Sequence, residues 1–249
     1  MQEPSCDVEF FERAFRDAYA RGPSVLREDF CGTAAICCEW VRSRRDRKAI
    51  GVDLDPEPLA WGREHNLAKL KPAQRRRVHL VQADARSSYD LPADVIATLN
   101  FSFFYFKQRS ALAEYFRCAR ENLNDEGILV LDMVGGSEVL EEDREEITEH
   151  GRFDYVWEQH SFNPITADQV CFIHFRFPDG SELERAFEYR WRLWTLPEVR
   201  ELLLESGFRR AEVYWEGTDE ESDEGNGIFE PAAEAPSEPA WIAYVVAIK

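Results

Sequence analysis

Glu28, Gly32, Asp53 and Asp84 follow one another in the first third of the chain, and each acid stands at the end of an expected strand. A strand-to-helix turn that brings backbone N–H groups up to a ligand needs small residues. The stretch Leu26-Arg27-Glu28-Asp29-Phe30-Cys31-Gly32-Thr33-Ala34-Ala35 keeps one glycine, with Ala34 and Ala35 as near substitutes. Asp53 follows Gly32 by about 20 positions, where an acid that holds ribose hydroxyls belongs. Asp84, in Gln82-Ala83-Asp84-Ala85, is placed to accept a hydrogen bond from an adenine amino group. Any one of these acids also reads as a helix cap after a strand. The ordered set points to a nucleoside-bearing ligand.

The elements that must position these residues alternate between short apolar runs and helical periods, the pattern of an α/β sheet. A first helix is expected over 8–20, ended by Arg21-Gly22-Pro23. Strands are expected at 24–28, 48–53, 78–83, 94–99 and 128–132, with helices at 34–42, after Asp55-Pro56 and at 110–123. The stretch 135–152 is acidic and reads as exposed. Three antiparallel strands follow near 154–162, 169–177 and 183–194, the second turn being Pro178-Asp179-Gly180. A helix at 196–206 precedes two last strands, 211–215 and 241–248, and 216–239 reads as a mobile acidic, proline-bearing loop. Two final strands without a helix between them imply an antiparallel hairpin on a parallel sheet.

On these residues the chain resembles the class I S-adenosylmethionine (SAM)-dependent methyltransferases from about Val25 onward. Glu28 and Cys31-Gly32-Thr33 look like their first motif, Gly51-Val52-Asp53 like the ribose motif and Gln82-Ala83-Asp84 like the adenine motif. Asn100 matches the position beside the methyl group, and Leu123-Asn124-Asp125-Glu126-Gly127 before the fifth strand is typical of the family. The resemblance implies a Rossmann-like fold: a seven-stranded, mostly parallel sheet with an antiparallel last strand, plus a small three-stranded antiparallel insert. It divides the chain into an N-terminal helix (1–22), a SAM-binding half (24–134), an insert over the acceptor (135–195) and a C-terminal helix with a strand hairpin (196–249). It implies SAM as cofactor, S-adenosylhomocysteine as product, and Glu28, Cys31, Gly32, Asp53, Leu54, Asp84, Ala85 and Asn100 as cofactor-binding residues. Phe30 and Ala34 stand where the family has glycines. Arg27 pairs either with the SAM carboxylate or, as a structural brace, with a neighbouring acid. A nicotinamide-dependent dehydrogenase is disfavoured by the missing second and third glycines; aminopropyl transfer remains an alternative on the same fold.

Methyl transfer to a nucleophile needs proximity and a dry pocket more than a dedicated base, so no side chain is assigned a catalytic role. The expected acceptor is a small molecule, an amine or other cation. The alternatives are a protein or RNA substrate, or SAM binding without transfer. Candidate acceptor residues are Tyr19, Phe101, Trp157, Tyr189, Arg192 and Trp194. Strand alternation puts Phe187, Tyr189, Trp191 and Leu193 on one face of the insert, and Arg192 with Trp194 on the other. Aromatics in such a stripe serve either core packing or an aromatic-walled pocket for a cation. His160 and His174 are candidate bases or structural residues.

The formal charge of −18 repels a phosphate backbone and argues against non-specific nucleic-acid binding. Two basic runs, 42–48 and 69–77, precede strands and read as solvated faces away from the site. The six cysteines lack metal-ligand spacing, so no metal is expected and reduced thiols in a cytoplasm are. The start Met1-Gln2-Glu3-Pro4 does not resemble a signal peptide, and no apolar run reaches membrane-helix length. Composition sets no oligomeric state.

Overall fold

The computed structural model describes residues 3–218 and 225–249. Asp219 to Glu224, part of the acidic loop expected at 216–239, lie outside the described residues. In chain order the elements are α1 (Pro4–Tyr19), β1 (Val25–Asp29), α2 (Ala35–Ser43), β2 (Lys48–Asp53), α3 (Pro56–His65), α4 (Pro72–Arg75), β3 (Val78–Gln82), β4 (Ala93–Thr98), α5 (Arg109–Asn122) and β5 (Leu123–Gly135). Then follow β6 (Arg144–Glu149), β7 (Asp154–Asn163), β8 (Asp168–Arg176), β9 (Glu182–Arg192), α6 (Leu196–Glu205), β10 (Arg210–Thr218), β11 (Gly225–Ala232) and β12 (Trp241–Ile248).

The main sheet has eight strands in the order β11-β10-β12-β5-β4-β1-β2-β3. From β5 to β3 every neighbour is parallel. β12 runs against both β5 and β10, so the reversed last strand is present. The seven expected strands become eight because β11 folds back onto β10 within the stretch taken for a loop. The insert likewise has four strands, β6-β7-β8-β9, because the acidic stretch after β5 pairs as an exposed edge strand. Five of the six β6 residues are charged or hydroxylated, which suits an edge that must not recruit another strand.

Helices cover both faces of the sheet. α1 and α2 press Phe11, Phe15, Trp40 and Val41 onto β1 and β2, all fully buried. On the other face α5 and α6 bury Tyr115, Phe116, Leu202 and Leu203, together with Trp191 and Trp194 from the insert. The basic runs are mostly exposed, as expected, but Arg47 and Arg77 turn inward. Arg47 is fully buried, stacks on Trp40 at 3.9 Å and pairs with Glu12 of α1 at 2.7 Å. Arg77 donates to the carbonyls of Arg44 and Val41 at 3.0 and 2.9 Å. These side chains brace helix ends, where the last carbonyls lack helical donors. Among the described residues no helix is long and apolar enough to cross a membrane.

Candidate active site

The loop leaving β1 takes left-handed backbone at three alternating positions: Phe30 (φ 58°), Gly32 (φ 49°) and Ala34 (φ 58°). That conformation costs an L-residue about 1 kcal/mol and glycine almost nothing. Phe30 and Ala34 therefore keep the glycine-like turns without the glycines. Packing supplies the compensation: Ala34 is fully buried, and the Phe30 ring meets Phe106 and Tyr115 edge-on. The loop is also pinned from the next strand end. Asp53 Oδ2 accepts the Gly32 N–H at 2.7 Å, Oδ1 accepts the Asp55 N–H at 2.9 Å, and the Cys31 N–H donates to Val52 at 3.0 Å. Two bonds leave the Asp53 carboxylate lone pairs for ligand hydroxyls.

The acids on β1 point to opposite faces. Glu28 accepts the Cys37 N–H in the first turn of α2 at 3.0 Å. Burial pushes its carboxyl up to about 8, with Asp7 and Asp53 adding to the rise and the Cys37 bonds opposing it. Asp29 pairs with Arg27 at 2.7 Å inside the protein and accepts the Tyr115 hydroxyl at 3.0 Å. Arg27 then reaches the carbonyls of Ala85 and Ser87 at 2.6 and 2.9 Å. It is the structural brace, tying β1 to the segment after β3, and is 1% exposed.

That segment carries the next acid. Asp84 accepts three bonds from Arg86, the backbone N–H at 2.8 Å and guanidinium N–H groups at 2.9 and 2.8 Å. Arg86 holds this carboxyl below its ordinary range. Oδ2 takes only one of these bonds and keeps capacity for a ligand amino group. Between the two strand ends Leu54 is 69% exposed, an apolar shelf beside Asp53, while Ala85 is buried.

After β4, Asn100 and Phe101 both adopt left-handed backbone, φ 56° and 55°. Their N–H groups converge on Asp132 near the end of β5, at 2.7 and 2.8 Å. Burial raises the Asp132 carboxyl to about 7, against the two amide bonds. Asp132 was not anticipated, although it ends the apolar run Ile128-Leu129-Val130-Leu131 as Asp53 ends its own. Asp7 of α1 adds negative charge next to both Glu28 and Asp132. Carboxyls thus gather at the carboxyl ends of β1 and β5, with Glu28 and Asp29 buried and Asp132 half-buried.

Beside them lies a cavity of about 140 Å³ between the main sheet and the insert. Phe101 and Val134 line it from the sheet, and Trp157, Trp191, Arg144 and Glu146 from the insert and its approach. Trp191 meets Phe101 edge-on at 6.1 Å, and Trp157 and Tyr189 continue the aromatic wall at 5.9 and 4.6 Å from Trp191. Burial pushes the Tyr189 hydroxyl up to about 12. The Trp191 indole N–H is buried with no partner among the described residues.

No protein-family model matches the chain, and no curated protein matches it by sequence. Solved structures do match in shape. An S-adenosylmethionine-dependent methyltransferase from Clostridium acetobutylicum aligns with TM-score 0.69 at 15% identity, covering 98% of this chain and 90% of that one. The SAM-bound amino pentose methyltransferase of Micromonospora echinaspora gives 0.68 at 15% identity, covering 99% and 92%. A sugar N-methyltransferase from a Streptoalloteichus species gives 0.66 at 18% identity, covering 100% and 88%. The chain has the class I methyltransferase fold.

In a methyltransferase fold the carboxyl ends of the parallel strands form the ligand edge. Glu28, Cys31, Gly32, Asp53, Leu54, Asp84, Ala85 and Asn100 all lie along it. Of the acceptor candidates, Phe101 and Trp157 line the cavity and Tyr189 backs its wall. Three candidates lie elsewhere. Tyr19 sits at the opposite edge of the sheet, its hydroxyl donating to the Gly127 and Lys249 carbonyls at 3.2 Å, because α1 runs the height of the sheet and ends there. Trp194 is 2% exposed in the α5–α6 core. Strand alternation stops at Arg192, so its side is set by the turn into α6. Arg192 stacks on Trp194 at 3.7 Å and donates to Lys107 at 3.1 Å. His160 and His174 flank Glu158 at 2.8 and 2.7 Å on the face opposite Trp157. Burial of Glu158 is outweighed by these imidazoles, which hold its carboxyl below the usual range. All three form a structural cluster, not a base at the cavity.

Proposed function

We propose that the chain is a SAM-dependent methyltransferase that acts on a small-molecule amine. The observation that carries this reading is the Asp53–Gly32 anchor at the strained β1–α2 loop, with Leu54 and Asp84 in line beside it. Asp53 would hold ribose hydroxyls, Leu54 would face the adenine plane, and Asp84 would accept its amino group. The carboxyls of Glu28, Asp7 and Asp132 favour a ligand bearing positive charge, which SAM carries at its sulfonium and ammonium groups. When bound, SAM supplies a methyl group on a sulfonium centre, poised for displacement.

This chain's own residues would exclude water and orient the acceptor. Asp132 holds the Asn100–Phe101 turn, and that turn places the Phe101 ring in the cavity wall. Phe101, Trp157 and Trp191 make that wall apolar, which favours the neutral, nucleophilic form of an amine. Glu146 and Arg144 border it with charge, and Trp191 brings an indole donor with no partner among the described residues. A volume near 140 Å³ suits a ring-sized group, since an apolar cavity of about 150 Å³ holds benzene. Enclosure between sheet and insert favours a small acceptor over a protein or RNA strand. One neighbour named as a sugar N-methyltransferase and another named for an amino pentose support an amine on a compact polar ring. Six free cysteines support a cytoplasmic setting.

The test is a panel of amines and amino sugars incubated with SAM, read by mass for one added methyl. Product from at least one amine, accompanied by S-adenosylhomocysteine, is expected. Methylation confined to hydroxyls or thiols across the panel would overturn the amine assignment.

A further inference from the structure

A second cavity of about 290 Å³ opens at the same edge of the sheet, where the β10–β11 hairpin meets the start of β12. It shares Ala240 and Ile242 with the cavity under the insert. Its walls carry Trp215, Trp241, Glu216 and Glu238. The two indoles arise from adjacent antiparallel strands: Trp215 pairs with Ala243, two residues from Trp241, so both rings stand on one face of the sheet. Their centroids lie 5.0 Å apart with planes at 41°. Gly135 closes one side of Trp241, since a Cβ there would meet that ring at 2.1 Å.

The charge in this cavity is one-sided. Glu216 accepts the Gly227 N–H at 2.9 Å, and neither Glu216 nor Glu238 has an ion-pair partner among the described residues. Both are half-buried. No Lys or Arg lines this cavity among the described residues, so its charged lining is acidic alone. Tilted indole faces attract a cation through their ring quadrupoles, and the attraction strengthens as water is excluded. Two unpaired carboxylates at the same cavity repel an anion and give a neutral guest nothing that water does not. The volume admits a small organic cation and far exceeds the space of one water.

We propose that this tryptophan-walled cavity binds an alkylammonium group. Because it adjoins the cavity under the insert, the group is the distal, permanently charged end of the acceptor, whose reacting amine lies beside Phe101. This placement rests on the methyltransferase reading; binding of the cation itself does not. The acceptor class is then a molecule with two nitrogen centres, one neutral and reactive, the other cationic and retained.

The test uses the full chain and two probes that match in shape and differ in charge: choline and its uncharged carbon isostere dimethylbutanol. Saturation-transfer NMR reads binding of each, and melting temperature reports the fold. Choline should saturate below about 10 mM and bind about ten-fold more tightly than the isostere. Trp215→Leu and Glu238→Gln should each weaken choline several-fold at unchanged melting temperature. Glu238 is a half-buried surface residue, so its variant stays informative if Trp215→Leu misfolds. Equal binding of the two probes, or choline binding that survives Glu238→Gln unaltered, overturns the proposal. A parallel titration with SAM separates the two readings. SAM binding without choline binding removes this site alone; choline binding without SAM binding keeps the cation site and removes the methyl-transfer reading.

Discussion

Asp53 carries two loads in the structure, and its removal separates them. Its carboxylate fixes the Gly32 amide and would hold the ribose, so Asp53→Ala should weaken SAM binding by about 1–3 kcal/mol. Asp84→Ala should cost less, because Arg86 already occupies most of that carboxylate and one amino donor is at stake. Calorimetric affinities of the two variants check the order, and an unaltered affinity in folded Asp53→Ala would remove the residue from the site. Gly32 makes a sharper test. A Cβ there meets nothing within 4 Å, so Gly32→Ala should fold at a strain cost of about 1 kcal/mol. The added methyl projects from the loop where backbone must approach the ligand, so SAM affinity should fall by at least about ten-fold. Equal losses in melting temperature and none in affinity would place the ligand elsewhere. At this scale the acids were legible because each stands at the close of a strand, most plainly at Asp53, where Ile50-Gly51-Val52 gives way to an acid. The loop was less legible, since Phe30 and Ala34 hide a glycine-like backbone whose cost is met by packing that only the fold supplies. Asp132 has the same signature as Asp53, but it falls outside the motifs that mark the family.

The elements divide the aromatics of the insert into wall and core. Trp157 faces the cavity from β7, half-buried, whereas Trp194 is packed between α5 and α6. Trp157→Ala should therefore lower turnover of the amine acceptor, leaving SAM affinity and melting temperature nearly unchanged. Trp194→Ala should instead destabilise the protein by about 3–5 kcal/mol, the usual cost of truncating a buried aromatic. Denaturant unfolding beside steady-state kinetics distinguishes them, and a Trp157→Ala variant that loses SAM binding would assign the insert to the cofactor site. The central strands, the helices between them and the reversed β12 were readable from apolar runs and turn residues. β6 and β11 were not. β6 is an edge strand whose residues face water on both sides, and β11 contains Gly225, Gly227 and Pro231, so neither shows the alternation that a half-buried strand must have. Tyr19 was misassigned for a related reason: periodicity finds a helix face and says nothing about which edge of the sheet the helix end reaches.

Across the whole molecule, buried carboxyls tie stability to pH. Glu28 and Asp132, ordinarily near 4.5 and 3.8, lie at about 8 and about 7 in the fold. The native state thus keeps protons that the unfolded chain has given up. The stability they contribute is full below the ordinary values and is lost as pH rises through about 7 to 8. Asp84 and Glu12 have the opposite sign: their carboxyls are lowered, and their contribution is lost on acidification. Melting temperature should accordingly fall from about pH 5 to about pH 8 and level off above it, and Glu28→Gln should flatten that fall. A curve that rises through this window would contradict the burial of both groups. A cation seated against these carboxyls favours their ionised forms, so SAM should bind with release of protons and recover part of the stability lost at high pH. Calorimetric titration of SAM into the wild-type protein is the most direct test of this account. Saturable heat of a single site, with a melting temperature that climbs with SAM concentration, is the expected result; no heat and no thermal shift at millimolar SAM would contradict it.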